Sequence, residues 1–127
     1  MKKLLKDVGD FHFVCEVEEN KTLNQISTKK RKLRIDLLKE EVKEYIEAEI
    51  DNDPIEIADA LADIIYIAVG TARIYWIPLD KVWAEVQRSN MDKIDPKTGK
   101  VIKRADGKIL KPEWWEWPRI AEIINKK

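Results

Sequence analysis

Apolar positions recur at helical spacing over four stretches of this 127-residue chain. In the first, roughly residues 2–19, Leu4, Val8, Phe11 and Cys15 share one stripe. A polar loop, ENKTLNQIST, leads to a second helix from about Lys29 to Ile50. There Leu33 and Leu37 lie on one arc, and Leu38, Val42 and Tyr45 on the opposite side. DNDP interrupts the pattern, with Asp53 placed as an N-cap and Pro54 at the first helical position. A third helix runs to about Tyr75 and is ended by WIP. A fourth, LDKVWAEVQRSNMDKI, sets Leu79, Val82, Trp83, Val86 and Asn90 near one face. After Asp95-Pro96 the periodicity changes. Two strand-like runs flank Asp106-Gly107 and predict a small hairpin, followed by PEWWEWP and a short amphipathic end. Short connections between amphipathic helices predict an all-α, four-helix bundle. The expectation is one domain over 1–127, with a helical core over about 2–95 and a C-terminal hairpin and tail over 96–127.

One residue breaks the pattern. From Ala60 to Ala72 the third helix is apolar nearly all the way round, which marks a buried helix, yet it carries Asp63. An ionised Asp is almost never fully buried unless it is paired or holds a metal. Between Asp53 and Ala72 there is no Lys or Arg, so compensation has to come from outside this helix.

Composition narrows what that compensation is. The net charge is zero, with 38% charged residues and few glycines and prolines, as in a soluble helical protein and unlike a general nucleic-acid surface. Cys15 is the single cysteine, which excludes an internal disulfide framework and fits a reducing cytoplasm. The basic start MKKLLKDVGDFHFV lacks an uninterrupted apolar run, so no signal peptide is read. The longest apolar stretch contains Asp59 and Asp63 and makes a poor membrane span. Charge is unevenly spread. Residues 36–63 hold eleven acids against Lys39 and Lys43, while both flanks carry a basic excess. A solvated helix face would produce this distribution, and so would a cation site with a basic rim for an anionic ligand.

The second helix supplies partners for Asp63. Glu40, Glu41 and Glu44 share an arc of about 100°, and that arc continues the Leu33–Leu37 stripe. On the third helix Glu56, Asp59 and Asp63 lie within roughly 60°. Two helices joined by a short turn pack antiparallel, so five or six carboxylates are expected to converge. Like charges that close do not all stay ionised without a cation. Oxygen-only ligands, with no His or Cys among them, suit Mg²⁺ or Mn²⁺. Asp63 is therefore read as a metal ligand.

The motifs EEVKE on one helix and EIADALAD on the next resemble the EExxE…ExxD signature of the all-α nucleoside triphosphate pyrophosphohydrolases, the MazG-like and phosphoribosyl-ATP pyrophosphohydrolase-like proteins. VGDFH, LRIDLLKEEVKEY, ADALADIIYIAVGTA, VWAEVQRSNMDKID and the tail TGKVIKRADGKILKPEWW extend the resemblance over most of the chain. It implies Mg²⁺-dependent cleavage of a nucleoside triphosphate between the α and β phosphates, and assembly as a homodimer or a dimer of dimers. Under it Glu40, Glu41 and Glu44 match EExxE, and Asp63 matches the last Asp of ExxD. The glutamate of ExxD falls on Ala60. Asp59 is then the substitute outer ligand, with Glu56–Asp59 as the other register. Asn90 and Lys93 match a pair that resembles a phosphate- and sugar-contacting site.

Several residues carry a second, structural reading. Glu56 stands three after Asp53, as in a capping box. His12 is a candidate base contact, with a satisfied core histidine as the alternative. Arg34 and Arg88 are candidates to face the phosphates, with pairing to an acid as theirs. Trp114, Trp115 and Trp117 suggest a lid or subunit contact. Among the glutamates Glu41 is chosen as the residue that orients the attacking water. Two further functions compete with the main one: phosphoribosyl-ATP pyrophosphohydrolase proper, and a non-catalytic helical binding module, which Ala60 favours.

Overall fold

In the computed structural model, which describes residues 1–125, the chain forms α1 (Lys2–Val14), α2 (Thr28–Ile50), α3 (Pro54–Tyr75), α4 (Leu79–Met91) and α5 (Ile120–Ile124). Among the described residues the β structure is a single antiparallel bridge, Lys103 to Ile109, so the fold is all-α. Its contacts divide the chain into two compact units, Met1–Leu79 and Asp80–Lys127. The expected four helices are thus present, three in the first unit and α4 almost wholly in the second.

The first unit is built around α3. Ser27 caps α2 by accepting from the Lys30 amide at 3.2 Å. At the α2–α3 turn Asn52 takes the left-handed conformation, φ 52°, which Asn tolerates. Asp53 Oδ1 then accepts from the amides of Ile55 (3.1 Å) and Glu56 (3.2 Å), an N-cap contribution of about 1 kcal/mol. Pro54 follows at the position where a missing N–H costs nothing. The reciprocal arm of a capping box is absent, because the Asp53 amide donates to the Ala48 carbonyl instead. Ala48 and Ala60, 4% and 2% exposed, let the two antiparallel helices approach closely near this turn.

Helix α1 lies antiparallel to α3 on another side. Phe11 meets Tyr66 edge-on, with ring centroids 5.8 Å apart. The buried α1 positions are Val8 and His12, whereas Leu4, Phe11 and Cys15 of the predicted stripe are exposed. The shift has a polar cause. Arg73 on α3 donates to the Leu5 carbonyl (2.9 Å) and grips both oxygens of Glu19 (2.7 and 2.9 Å). His12 Nδ1 shares the same carboxylate at 2.8 Å. Reaching Glu19 into that network requires the chain to turn back after Val14, through Glu16 at φ 57°, so α1 stops short of residue 19. At the other end of α3, Trp76 occupies the left-handed C-cap position usually taken by Gly, and Pro78 prevents continuation.

In the second unit the tail folds back on α4. Trp115 Nε1 donates to the Ser89 carbonyl, Trp114 Nε1 to the Asp92 carbonyl at 2.8 Å, and the Arg119 amide to Glu85 at 2.9 Å. Lys111 Nζ lies 3.9 Å from the Trp117 ring centroid. The predicted hairpin is minimal: the bridge is joined by Leu110 N–H to Ile102 C=O, and Arg104 pairs with Asp106 across the turn.

Two glycines make room for guanidinium groups. A Cβ on Gly9 would lie 2.5 Å from Arg73 Cζ, and one on Gly70 would lie 2.8 Å from an Arg34 terminal nitrogen and 3.0 Å from His12 Nε2. In an ordinary helix Gly→Ala stabilises by about 1 kcal/mol. Gly70→Ala is expected to do the reverse here, because the new methyl displaces Arg34 and His12 from their partners. A thermal melt of Gly70→Ala at or above the unaltered melting temperature would contradict this packing.

Candidate metal centre

The α2–α3 hairpin determines which acids meet. Glu41 and Glu44 are one turn apart on α2, and Asp63 faces them from α3. One carboxylate oxygen from each lies within 4.8 Å of the others. Glu41 and Asp63 are half-buried and Glu44 is exposed. Glu41 Oε2 is buried with no hydrogen-bond partner. A lone pair removed from water and left unmet costs roughly 1–3 kcal/mol, more for a charged group, so the site is unfinished as a purely protein structure. Burial is the main reason why the Glu41 carboxyl is pushed up to about 7. The neighbouring carboxylates of Asp63 and Glu44 and the more distant charge of Asp59 add to it.

Three carboxylates therefore converge, rather than the expected five or six. Glu40 stands one residue, about 100°, round from Glu41 and is exposed outside the group. Asp59 is exposed one turn before Asp63, outside the 4.8 Å group but within the electrostatic field of Glu41. Glu56 sits exposed in the first turn of α3. Ala60 is packed at the α2–α3 approach. The donor set is hard oxygen throughout, open on the Glu44 side, and its unpartnered oxygen points to a cation. Those features fit a divalent ion of the Mg²⁺ or Mn²⁺ kind.

The remaining candidates have partners of their own. His12 is buried, bonded to Glu19, and serves the core network. Arg34 lies on the same face of α2 as Glu41, two turns earlier. It donates to Thr71 Oγ1 at 3.0 Å and to the Ile67 carbonyl at 2.9 Å. Asn90 and Lys93 belong to the second unit, where Lys93 Nζ donates to Asn90 Oδ1 at 3.1 Å. Arg88 pairs with Glu85 and Asp92. A cleft of about 580 Å³ in the second unit is lined by Met91, Asp92, Ile94, Asp95, Pro96, Lys97 and Trp114, and it contains none of the three converging carboxylates. Glu19 and Arg73, which position α1, were not singled out from the sequence. The available signal was an arginine ending an apolar helix with no acid one turn away.

An antiparallel helical pair carrying an acidic cluster places the chain among all-α proteins with a candidate cation site. The profile of phosphoribosyl-ATP pyrophosphohydrolase matches residues 8–90, and the chain belongs to that family, part of the MazG-like all-α NTP pyrophosphohydrolase superfamily. The description of that family names a pyrophosphohydrolase. The chain is also similar to an uncharacterized protein of Acanthamoeba polyphaga mimivirus, 47% identical over 49 residues. That match covers 39% of this chain and 20% of the length of the relative. No helix among the described residues is long and apolar enough to cross a membrane.

The raised carboxyl of Glu41 gives a pH signature with a definite sign. Its folded value of about 7 lies above the ordinary 4.5, so between these pH values the folded state keeps a proton that the unfolded chain has lost. This contribution is fully present at the acid end of that window and is lost as pH rises towards 7. A divalent cation competes with the same proton. The rise in melting temperature caused by Mg²⁺ should therefore be larger at about pH 8 than at about pH 6, and Glu41→Gln should remove most of the difference. Melts at both pH values, with Mg²⁺ or with EDTA, check this. Identical shifts in the unaltered chain at the two pH values would count against the site.

Proposed function

We propose that this protein is a Mg²⁺-dependent nucleoside triphosphate pyrophosphohydrolase that converts a (d)NTP and water into the monophosphate and pyrophosphate, in nucleotide-pool housekeeping. The observation that carries the reading is the buried, unpartnered Glu41 oxygen inside a three-carboxylate group of a chain in this family. Glu41, Glu44 and Asp63 would hold the cation, with Asp59 as the outer carboxylate; Mn²⁺ fits the same donors. When bound, that ion neutralises charge on the phosphate oxygens and makes water easier to deprotonate.

The chain's own residues do the rest. Water attacks the α phosphorus in line, and the bond from that phosphorus to the α–β bridging oxygen breaks, releasing pyrophosphate. Glu41 orients the water and takes its proton; it is the carboxylate whose proton affinity its surroundings bring nearest to neutrality. Asn90 and Lys93 are assigned to phosphate and sugar contact. Arg34 and His12, held by Thr71, Ile67 and Glu19, are given no substrate contact in this proposal. The reaction on phosphoribosyl-ATP breaks the same kind of bond, and the description of the matched family favours that substrate as the second reading.

Uncovered apolar surface supports assembly as a homodimer or homotetramer. Leu61 and Ile65 on α3 are 45% and 49% exposed, and Leu38, Val42 and Ile46 on α2 are also open. Light scattering at micromolar concentration should give at least twice the chain mass; a monomer would remove this part of the proposal. The cytoplasm is the proposed compartment, on the single free Cys15.

The chemistry is tested on a panel of nucleoside triphosphates and phosphoribosyl-ATP with Mg²⁺, resolving pyrophosphate from orthophosphate. In ¹⁸O-labelled water the label should enter the monophosphate. Glu41→Gln should keep the fold and lower turnover by about 10²-fold, the lower range for loss of a positioned base. Asp63→Asn should weaken metal binding, with partial rescue at high Mn²⁺. Label confined to pyrophosphate, or orthophosphate as the first product, would defeat the proposal.

A further inference from the structure

We propose that Arg34 is the positioning residue of this site: its forked contact with Ile67 and Thr71 sets the register of α2 against α3 and so brings Glu41 and Glu44 opposite Asp63. The inference rests on the metal reading above only for one arm of its test.

The two contacts lie on one seam. Arg34 and Glu41 are seven residues apart, two helical turns, on the same face of α2. Asp63, Ile67 and Thr71 follow one another at four-residue steps along α3. In an antiparallel pair, going two turns towards the C-terminus of α2 means going back along α3. The step from Arg34 to Glu41 is therefore the step from Thr71 and Ile67 to Asp63. The carboxylates stand roughly 10 Å along the seam from the guanidinium. A slip of one turn, about 5.4 Å, would carry Glu41 from Asp63 to an aliphatic side chain or to Asp59.

Something directional has to prevent that slip. Hydrophobic contact is non-directional, and the seam near the turn is lined by Ala48 and Ala60, which tolerate sliding. In the absence of a cation, the three acids repel and cannot define the register themselves. Arg34 supplies direction. Its Nε donates to Thr71 Oγ1, one terminal nitrogen donates to the Ile67 carbonyl, and the Thr71 hydroxyl donates to that carbonyl at 3.0 Å. The three bonds close a small ring between the helices. A planar guanidinium fits both acceptors at once, which a single ammonium does less well. Among the described residues Arg34 pairs with no carboxylate, so its contacts add geometry rather than charge neutralisation. Gly70 leaves the space the fork needs.

The test uses Thr71→Val, which removes one acceptor while nearly preserving shape, together with Arg34→Met and Arg34→Lys. Two readouts are taken on the full chain: NOEs between the α2 and α3 segments around Glu41 and Asp63 in metal-free protein, and Mn²⁺ affinity from the EPR signal of free Mn²⁺. In Thr71→Val and Arg34→Met the NOEs should weaken or move to neighbouring turns. Mn²⁺ affinity should fall about 10-fold or more, as when a residue orienting a ligand is lost, with Arg34→Lys in between. If Arg34→Met does not fold, Thr71→Val carries the test. Lower melting temperatures with unchanged NOEs and unchanged Mn²⁺ affinity would mean an ordinary stabilising contact and overturn the proposal. Unchanged Mn²⁺ affinity with weakened nucleotide binding would overturn it in favour of a substrate contact. If the unaltered chain binds no Mn²⁺ but the NOEs respond as expected, the functional reading fails and the register assignment stands.

Discussion

Three carboxylates within 4.8 Å of one another repel. At that distance each fully ionised pair near a protein surface costs roughly 3–4 kcal/mol, which is comparable with the whole stability of a small domain. A helical hairpin that carries such a group on its seam must be held by something other than the acids. This constraint accounts for much of the first unit. Arg34 joins α2 to α3, and Arg73 joins α3 to α1 and to Glu19. Both are polar attachments placed away from the acids. The stress is partly relieved by a proton: with Glu41 pushed up to about 7, the group exists near neutrality partly as two charges rather than three.

The same reasoning explains why the carboxylate on the apolar helix can be an aspartate. A short side chain keeps the charge close to the α3 backbone and leaves the longer glutamates of α2 to reach across. Burial is the largest single cause of the raised proton affinity of Glu41, followed by the charge of Asp63 on α3. Elsewhere on α3, the exposed Leu61 and Ile65 are what the proposed dimer would cover.

Much of this was legible in the sequence, for physical reasons. Helix periodicity, the Asp53–Pro54 start and the proline after Trp76 are local signals, and α2 and α3 matched them within a residue or so. Asp63 was legible because a charge in an apolar helix has few explanations. The length of α1 was not, because it ends for a tertiary reason, the capture of Glu19 by Arg73 and His12. Nor was the number of converging acids. Side chains spanning 100° of a helix look equivalent on paper, yet a partner helix meets a narrower arc, and Glu40 and Glu41 fall on opposite sides of its edge. The role of Arg34 was hidden because an arginine near a phosphate site invites a substrate contact, whereas its acceptors, a hydroxyl and a main-chain carbonyl, carry no pattern in sequence.

Ala60 shows how packing and chemistry bear on each other. The resemblance sets a glutamate there, and the structure has a buried alanine, 2% exposed. A glutamate at so buried a position would have to displace its neighbours, whereas the alanine does not. Glu41 and Glu44 meet Asp63, and Asp59, one residue from Ala60, is exposed. A Mg²⁺-type ion commonly binds through one or two carboxylates and keeps several waters. A three-carboxylate group with one exposed member is therefore sufficient in donors, and the side where Glu44 and Asp59 are open is the side left for water and phosphate oxygens. Ala60 removes one donor of the motif and leaves the three-carboxylate group in place.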